Sequence, residues 1–489
     1  METRVKFLSG AVWSGVNAIA SVLLPLFMFF YFARLTPPWQ VGVIAYAMAW
    51  VEVVKIFAPL GLYEALLASK DYDSQAGAAG TLMAVCGGAG FLLYAALISV
   101  SMLWMPAIGQ LFWLALALGS RILFDMLSIQ PQVTLARSLK FRGLASRSLF
   151  GNLAAGAMGL GASLFVPPVA ALTIYYVVQA MVSYVATIIS ARAWAPFTLD
   201  WSPLRAIGKT AFLATQVRSL ATIINYADQL IAGSFVSPAV IAWYNAGKRV
   251  EIAEFTAASS FSSVLFQPLF ARSGEQDMAA RFQRCLLLMT LVCGVPAVVL
   301  AVNAKLVIGT VLGDQWLGAA PLVSALAIAG LGRAVGGVHG AYMSVNGLNN
   351  VLRNRAIASA VGGAVIVALT GVIGIVWVGV LLAIKNTLIT ASSAWITRNL
   401  AGPADYVKSV FSVLATALAG AWLGRWLGDW LGGAWHWMPH LGVAVVSGAG
   451  AVLLVGVIMA GTVIGLIRDR GLAPASAAVA GGPLPDGKA

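Results

Sequence analysis

Seven basic residues, Lys55, Arg121, Arg218, Lys248, Arg249, Arg333 and Lys385, interrupt stretches that are otherwise almost wholly apolar. A charge at mid-bilayer costs about 2.5–3.5 kcal/mol on the insertion scale, so each needs a counter-ion or a task. Glu52 and Lys55 are three apart and Arg121 and Asp125 four apart, and Lys248 precedes Glu251 by three. Such spacings put partners on one helical face. Arg218, Asn225 and Gln229 fall on one side of a helix, with Asp228 adjacent, and His339 and Asn386 lie in later stretches. The bland reading of the close pairs is ion pairs that lock helices together. Arg218, Arg333 and Lys385 have no counter-ion nearby in sequence. Unpaired cations facing water between helices suit an anionic substrate, and the planar fork of Arg suits phosphate. Asp228, Glu251 and Glu254 are the acids that could bind Na+ or exchange H+, unless they only neutralise Lys248 and Arg249.

Fourteen apolar stretches between Leu8 and Ile467 position these residues. Hydrocarbon about 30 Å thick needs roughly 20 helical residues, which predicts an all-α, polytopic membrane protein with fourteen transmembrane helices. The second stretch, 41–67, reads as one continuous span. Twenty of the thirty Lys and Arg fall in alternate loops and at the termini, whereas Arg34, Lys305 and Arg425 belong to the opposite loops. Basic loops stay cytoplasmic, so both termini are expected inside. The first stretch is longer than a signal-peptide core and is expected to be retained.

The chain divides, on this reading, into a six-helix bundle at 1–191, a cytoplasmic linker at 192–207 with Pro196, Asp200, Pro203 and Arg205, and a second six-helix bundle at 208–400. Two further helices occupy 401–470, and the Ala-, Gly- and Pro-rich tail at 471–489 reads as disordered. The halves echo each other, with Pro38 matched by Pro238 and Gly42 to Ala47 by Ala242 to Ala246. A parallel repeat of this kind is a transporter signature. Gly332, Gly336 and Gly340, and likewise Gly156, Gly159 and Gly161, permit close helix packing within the chain or between copies; packing within the chain is the reading preferred.

Composition narrows the functions. The chain is 60% hydrophobic and 10% charged, with a net charge of +13. Its basic residues are scattered singly without interleaved aromatics, so nucleic acid is not an expected partner. Cys86, Cys285 and Cys293 form no CxxC pair, and His339, His436 and His440 have no metal-ligand spacing. Gly208-Lys209-Thr210 resembles the end of a phosphate-binding loop, but Pro203 occupies the position that needs glycine. Asp71 and Asp73 suit a solvated loop better than a metal-dependent transferase site. No segment is long enough for a catalytic domain, so the chain is not expected to be an enzyme or to carry a cofactor beyond a coupling Na+ or H+.

Local motifs add a resemblance. Ser9-Gly10-Ala11-Val12-Trp13-Ser14-Gly15 with Phe32-Ala33-Arg34-Leu35-Thr36-Pro37, Pro131-Gln132, Phe141-Arg142, and Arg147-Ser148 through Gly151-Asn152-Leu153 occur in order. Asp228-Gln229, Tyr244-Asn245-Ala246-Gly247-Lys248-Arg249 and Gly313-Asp314-Gln315-Trp316 follow. Together, over most of residues 5–400, they resemble the Wzx-type flippases of the multidrug/oligosaccharidyl-lipid/polysaccharide (MOP) superfamily, in particular the exopolysaccharide subgroup of colanic acid and xanthan. Val166-Pro167-Pro168 departs from that pattern, which has a Gly-rich turn before a Trp.

The resemblance implies two bundles in a pseudo-two-fold arrangement in a bacterial inner membrane. It also implies translocation of an undecaprenyl-diphosphate-linked oligosaccharide by alternating access, alongside a polymerase and export machinery. Arg218, Lys248, Arg249 and Arg333, then Lys55, Arg121, Lys385 and Asn225, are the candidate substrate contacts. The rivals are a cation-coupled multidrug exporter of the same superfamily and a membrane-embedded polymerase or glycosyltransferase. The first would want acids in its first bundle, yet the first span carries no charge between Phe7 and Ala33.

Overall fold

Prolines open several of the long helices, because the first helical position has no intrahelical use for an N–H and favours the φ that proline imposes. Pro38 begins α2 (Pro38–Val54), Pro168 begins α7 (Pro168–Ala191) and Pro238 begins α9 (Pro238–Phe261). The computed structural model describes residues 24–58, 61–138, 140–192, 198–271, 275–434 and 440–458, and among these every regular element is helical. The Ser9–Gly15 motif, most of the first expected span, both chain ends and the 471–489 tail lie outside the described residues.

Nine helical stretches among the described residues are long and apolar enough to cross a bilayer. One of them, α4 (Tyr72–Ser101), has 30 residues and reaches about 45 Å at roughly 1.5 Å per residue. α6 (Phe141–Ala162), α8 (Gly208–Gly233) and α9 are of spanning length but more polar. The chain is therefore a multi-pass helical membrane protein.

One span differs from expectation. The continuous helix expected over 41–67 ends in a 3₁₀ turn, Lys55–Phe57, and restarts as α3 (Leu62–Ala68). Ala58 is extended at φ −85° and ψ 154°. It precedes Pro59, whose ring disfavours the helical conformation of the residue before it.

The chain forms two compact units, one of residues 1–249, 308–323 and 357–382, the other of 250–307, 324–356 and 383–489. In the first unit, α1 (Leu24–Leu35), α2, α4, α5 (Ser120–Leu127) and α7 enclose a core of Phe32, Tyr46, Tyr94, Met126 and Tyr175. The end of α1 is pinned by side chains from the segment after α11 (Val295–Val311): Trp316 Nε1 donates to the Ala33 carbonyl at 2.9 Å and Gln315 Nε2 to that of Arg34 at 3.3 Å. Arg34 in turn donates to the carbonyls of Thr310 and, at 3.0 Å, Val311, satisfying acceptors that a helix end leaves open. α2 meets α9 at Gly42, where a Cβ would collide with the Pro238 carbonyl oxygen. Gly42→Ala must force these backbones apart, and overpacking of this kind costs about 1–3 kcal/mol. The expected result is a lower thermal midpoint of the detergent-purified protein; an unchanged midpoint would show that α2 and α9 do not pack this closely.

In the second unit, α12 (Ala320–Val345) packs on α13 (Ile375–Ile396) through small residues. Cβ atoms at Gly332 and Gly336 would meet Asn386 and Thr390, and Thr390 Oγ1 donates to the Gly332 carbonyl at 2.6 Å. These glycines thus serve packing within the chain, the preferred of the two readings. α14 (Ser412–Ala434) and α15 (His440–Ile458) form a hairpin, tied to α11 by Asn303 Nδ2 donating to Ser447 Oγ at 2.7 Å.

Between α7 and α8, Arg192 adopts a left-handed φ of 52° and ends α7. Asp200 accepts the Ser202 amide at 2.9 Å. Hydrogen bonds from the Ser202 hydroxyl and amide hold its carboxyl below the usual range.

Candidate functional site

Lys55, at the C-terminal end of α2, is the hub of a charged network in the first unit. Its Nζ lies 2.8 Å from Glu52 Oε2 and 2.9 Å from Asp125 Oδ2 on α5. Arg121 Nε reaches the same Asp125 oxygen at 3.5 Å. The Glu52–Lys55 and Arg121–Asp125 pairs follow the helical spacing, and the link between them, Lys55 to Asp125, spans 70 residues of sequence. Two cations and two carboxylates make this quartet neutral, and all four side chains are less than one-third exposed.

The network continues through Tyr176 of α7. Arg121 Nη1 donates to the Tyr176 carbonyl at 3.2 Å, and Arg249 Nη2 donates to the Tyr176 hydroxyl at 2.7 Å. Arg249 Nε donates to Asn245 Oδ1 at 3.1 Å, and Asn245 Nδ2 donates to Gln229 Oε1 at 3.1 Å. The Arg249 guanidinium lies 3.9 Å from the centre of the Phe29 ring, close enough for the ring face to attract the cation. Its neighbour Lys248 is different: Nζ is 3.0 Å from Asp228 Oδ2, and both side chains are about nine-tenths buried. Tyr244 donates to that carboxylate at 2.7 Å.

Arg218, expected to lack a counter-ion, has one that is distant in sequence. Its Nη2 and Nε both lie 2.7 Å from Glu64 Oε1 on α3, and the guanidinium packs 5.4 Å from the Tyr63 ring centre. Both side chains of the pair are 40% exposed or more. Screened pairs of this kind contribute about 0–1 kcal/mol, so a double-mutant cycle of Arg218→Ala and Glu64→Ala should give a coupling no larger than that. A coupling several times larger would mean that the pair is desolvated.

Asn225 is half-buried on α8. Of Lys55, Arg121, Arg218, Lys248 and Arg249, Arg249 alone has no carboxylate within ion-pair distance among the described residues. Its partners are an amide oxygen, a hydroxyl and an aromatic face.

The second unit carries its own cluster. Arg333, also expected to lack a partner, has Nη1 3.0 Å from Glu251 Oε1 and lies 4.0 Å from the Phe255 ring centre. Asn386 Nδ2 donates to the Ala329 carbonyl at 3.0 Å and approaches Glu251 Oε1 at 3.4 Å. Lys385 is half-buried beside it and is itself engaged. Glu254, one turn along α9 from Glu251, has its Oε2 buried with no hydrogen-bond partner. His339 has both ring nitrogens occupied, Nδ1 with Thr397 Oγ1 at 2.9 Å and Nε2 with the Tyr406 hydroxyl at 2.6 Å, and so serves packing.

Sequence reasoning passed over Tyr176, Phe29 and Glu64. A Tyr in an apolar helix and a Glu near a helix end are ordinary features, and only the distant residues they touch give them meaning.

The chain matches the model of a family described as polysaccharide biosynthesis protein over residues 31–321. No curated protein matches it. Among solved structures, a lipid II flippase, MurJ, in an inward closed conformation is similar with a TM-score of 0.70 and 13% identity, covering 93% of this chain and 100% of that one. An inward-facing multidrug resistance MATE family transporter of the MOP superfamily is similar with a TM-score of 0.53 and 13% identity, covering 80% of this chain and 98% of that one. The chain belongs to the polysaccharide biosynthesis protein family and is built on the transporter fold of the MOP superfamily.

Proposed function

We propose that the protein is a flippase that moves undecaprenyl-diphosphate-linked oligosaccharide units from the cytoplasmic to the periplasmic leaflet of a bacterial inner membrane, with both termini cytoplasmic. The product feeds exopolysaccharide or surface-polysaccharide assembly by a polymerase and export machinery. Family membership supports the pathway, and likeness to the fold of a lipid II flippase supports a lipid-borne cargo.

The observation that carries the reading is Arg249, a membrane-embedded guanidinium held, among the described residues, only by neutral groups. A glycan and a diphosphate cannot cross hydrocarbon unaided, whereas a polyprenyl tail can stay in lipid while the headgroup travels. A diphosphate would supply the negative charge that Arg249 lacks, in the bidentate geometry Arg favours. Lys248 and Arg333, tied to Asp228 and Glu251, are further contacts once those pairs rearrange. Arg218, Lys55, Arg121, Lys385 and Asn225 stand behind them. Alternating access of the bundles 1–191 and 208–400, driven by Na+ or H+, would move the headgroup.

The MATE likeness makes a multidrug exporter the second reading. Deleting the gene separates the two. The flippase reading expects lipid-linked repeat units to accumulate on the inner leaflet with unchanged drug susceptibility. Drug hypersensitivity with normal polymer export would favour the exporter, and units stranded unpolymerised outside would favour a polymerase.

A further inference from the structure

Each of the other intramembrane carboxylates described above has a cation within ion-pair distance. Glu52 and Asp125 hold Lys55, Asp228 holds Lys248, and Glu251 holds Arg333. Glu254 has none among the described residues, and its Oε2 is shut away from both solvent and hydrogen-bond donors. The carboxyl lies against the backbone of α12 at Gly330, where a Cβ would collide with Oε2, so the close approach depends on glycine at that position.

The groups around it are few. Glu251 is one turn away on α9, and Arg333 of α12 is already bonded to Glu251. Cys293, from the turn between α10 (Glu275–Met289) and α11, is within electrostatic reach. From α13, Asn386 faces Glu251, with the engaged Lys385 next to it. An ionised carboxylate left dry and unpaired is far more costly than a neutral acid. A proton bound at Oε2 would remove a charge that no cation among the described residues compensates. No cluster of three or more His, Cys, Asp or Glu side chains stands among the described residues to ligate a metal ion, and a single carboxyl oxygen against a helix backbone suits a proton.

We propose that Glu254 is the proton-binding residue of the transport cycle, an assignment that rests on the flippase reading. Loading adds one proton to the carboxylate, giving –COOH. Release returns that proton to water on the other side and leaves –COO⁻, with no other bond made or broken. The transmembrane proton gradient supplies the proton. Release also adds a negative charge one turn from Glu251, so that two carboxylates then compete for Arg333. The resulting shift of Arg333 is the step that couples protonation to the headgroup.

The test uses the full-length protein in liposomes, as wild type and as Glu254→Gln, with two readouts. The first is the protonated-carboxyl stretch in infrared difference spectra across a pH titration without substrate. The second is movement of a fluorescent polyprenyl-diphosphate N-acetylglucosamine under a pH gradient, under a Na+ gradient, and under neither. One coupled proton biases the distribution about tenfold per pH unit. The expected result is a carboxyl band in the wild type that Glu254→Gln lacks, and a pH-gradient bias that Glu254→Gln loses while ungraded exchange of the probe persists.

Glu254→Asp keeps the acid and should retain the bias with a shifted titration, which decides the matter if the Gln variant does not fold. An identical band and an identical bias in Glu254→Gln, or a bias driven by Na+ alone, overturns the proposal. A wild type that moves no probe under any condition defeats the flippase reading instead. The infrared band then still decides whether Glu254 carries the proton.

Discussion

Arg249→Ala should abolish polymer export in a strain lacking its own copy of the gene, with the variant still present in the membrane at wild-type level. The variant inserts normally because Arg249 leaves no carboxylate stranded: Tyr176 and Asn245, its partners, are neutral and lose one hydrogen bond each. The loss therefore falls on substrate. Removing one side of a desolvated charge contact costs about 2–5 kcal/mol, or roughly thirtyfold or more in affinity. Arg249→Lys keeps the charge but loses the planar fork and should recover only part of the activity. Polymer yield and membrane abundance, measured on the same cells, check this. Full export by a well-inserted Arg249→Ala variant would remove Arg249 from the site.

Asp125→Asn should act in the opposite way, on stability. Asp125 Oδ2 is shared by Lys55 and Arg121, so neutralising it leaves the quartet with two cations and one carboxylate. Breaking a buried ion pair from one side is destabilising by about 3–5 kcal/mol because a charge is left uncompensated. The Asp125 side chain is 29% exposed. Partial screening by solvent moves the expectation to the lower end of that range. Adding Lys55→Met restores charge balance and should recover part of the lost stability. Thermal unfolding in detergent of the single and double variants gives the comparison. A single variant as stable as wild type, or a double variant worse than the single, would contradict the ion-pair account.

The two predictions separate residues that look alike in the sequence. Lys55, Arg121 and Arg249 are all cations in apolar helices, and nothing in their local spacing ranks them. Glu52–Lys55 was legible because helical periodicity brings residues three apart together. The bond from Lys55 to Asp125 was not, because it depends on how α2 packs against α5. Arg218 reads as uncompensated only while Glu64, 154 residues earlier, is out of view. The reverse holds for Arg249: two residues before Glu251 in sequence it looks neutralised, yet its partners in space are Tyr176, Asn245 and Phe29.

The helical class and most helix positions were legible because apolar runs of bilayer length leave few alternatives. The break at Ala58 could have been read from Pro59, since the restriction that proline places on its predecessor is local. Helix-to-helix contacts carry no such local mark, and they decide which charges are structural.

The most direct test is leaflet transfer by the purified protein in liposomes, comparing a polyprenyl-diphosphate sugar with a neutral polyprenyl glycoside of the same sugar. If an uncompensated guanidinium draws the headgroup across, the wild type moves the diphosphate probe far faster than the neutral one, and Arg249→Ala erases the difference. Equal transfer of both probes by the wild type, or an undiminished preference in Arg249→Ala, would contradict it.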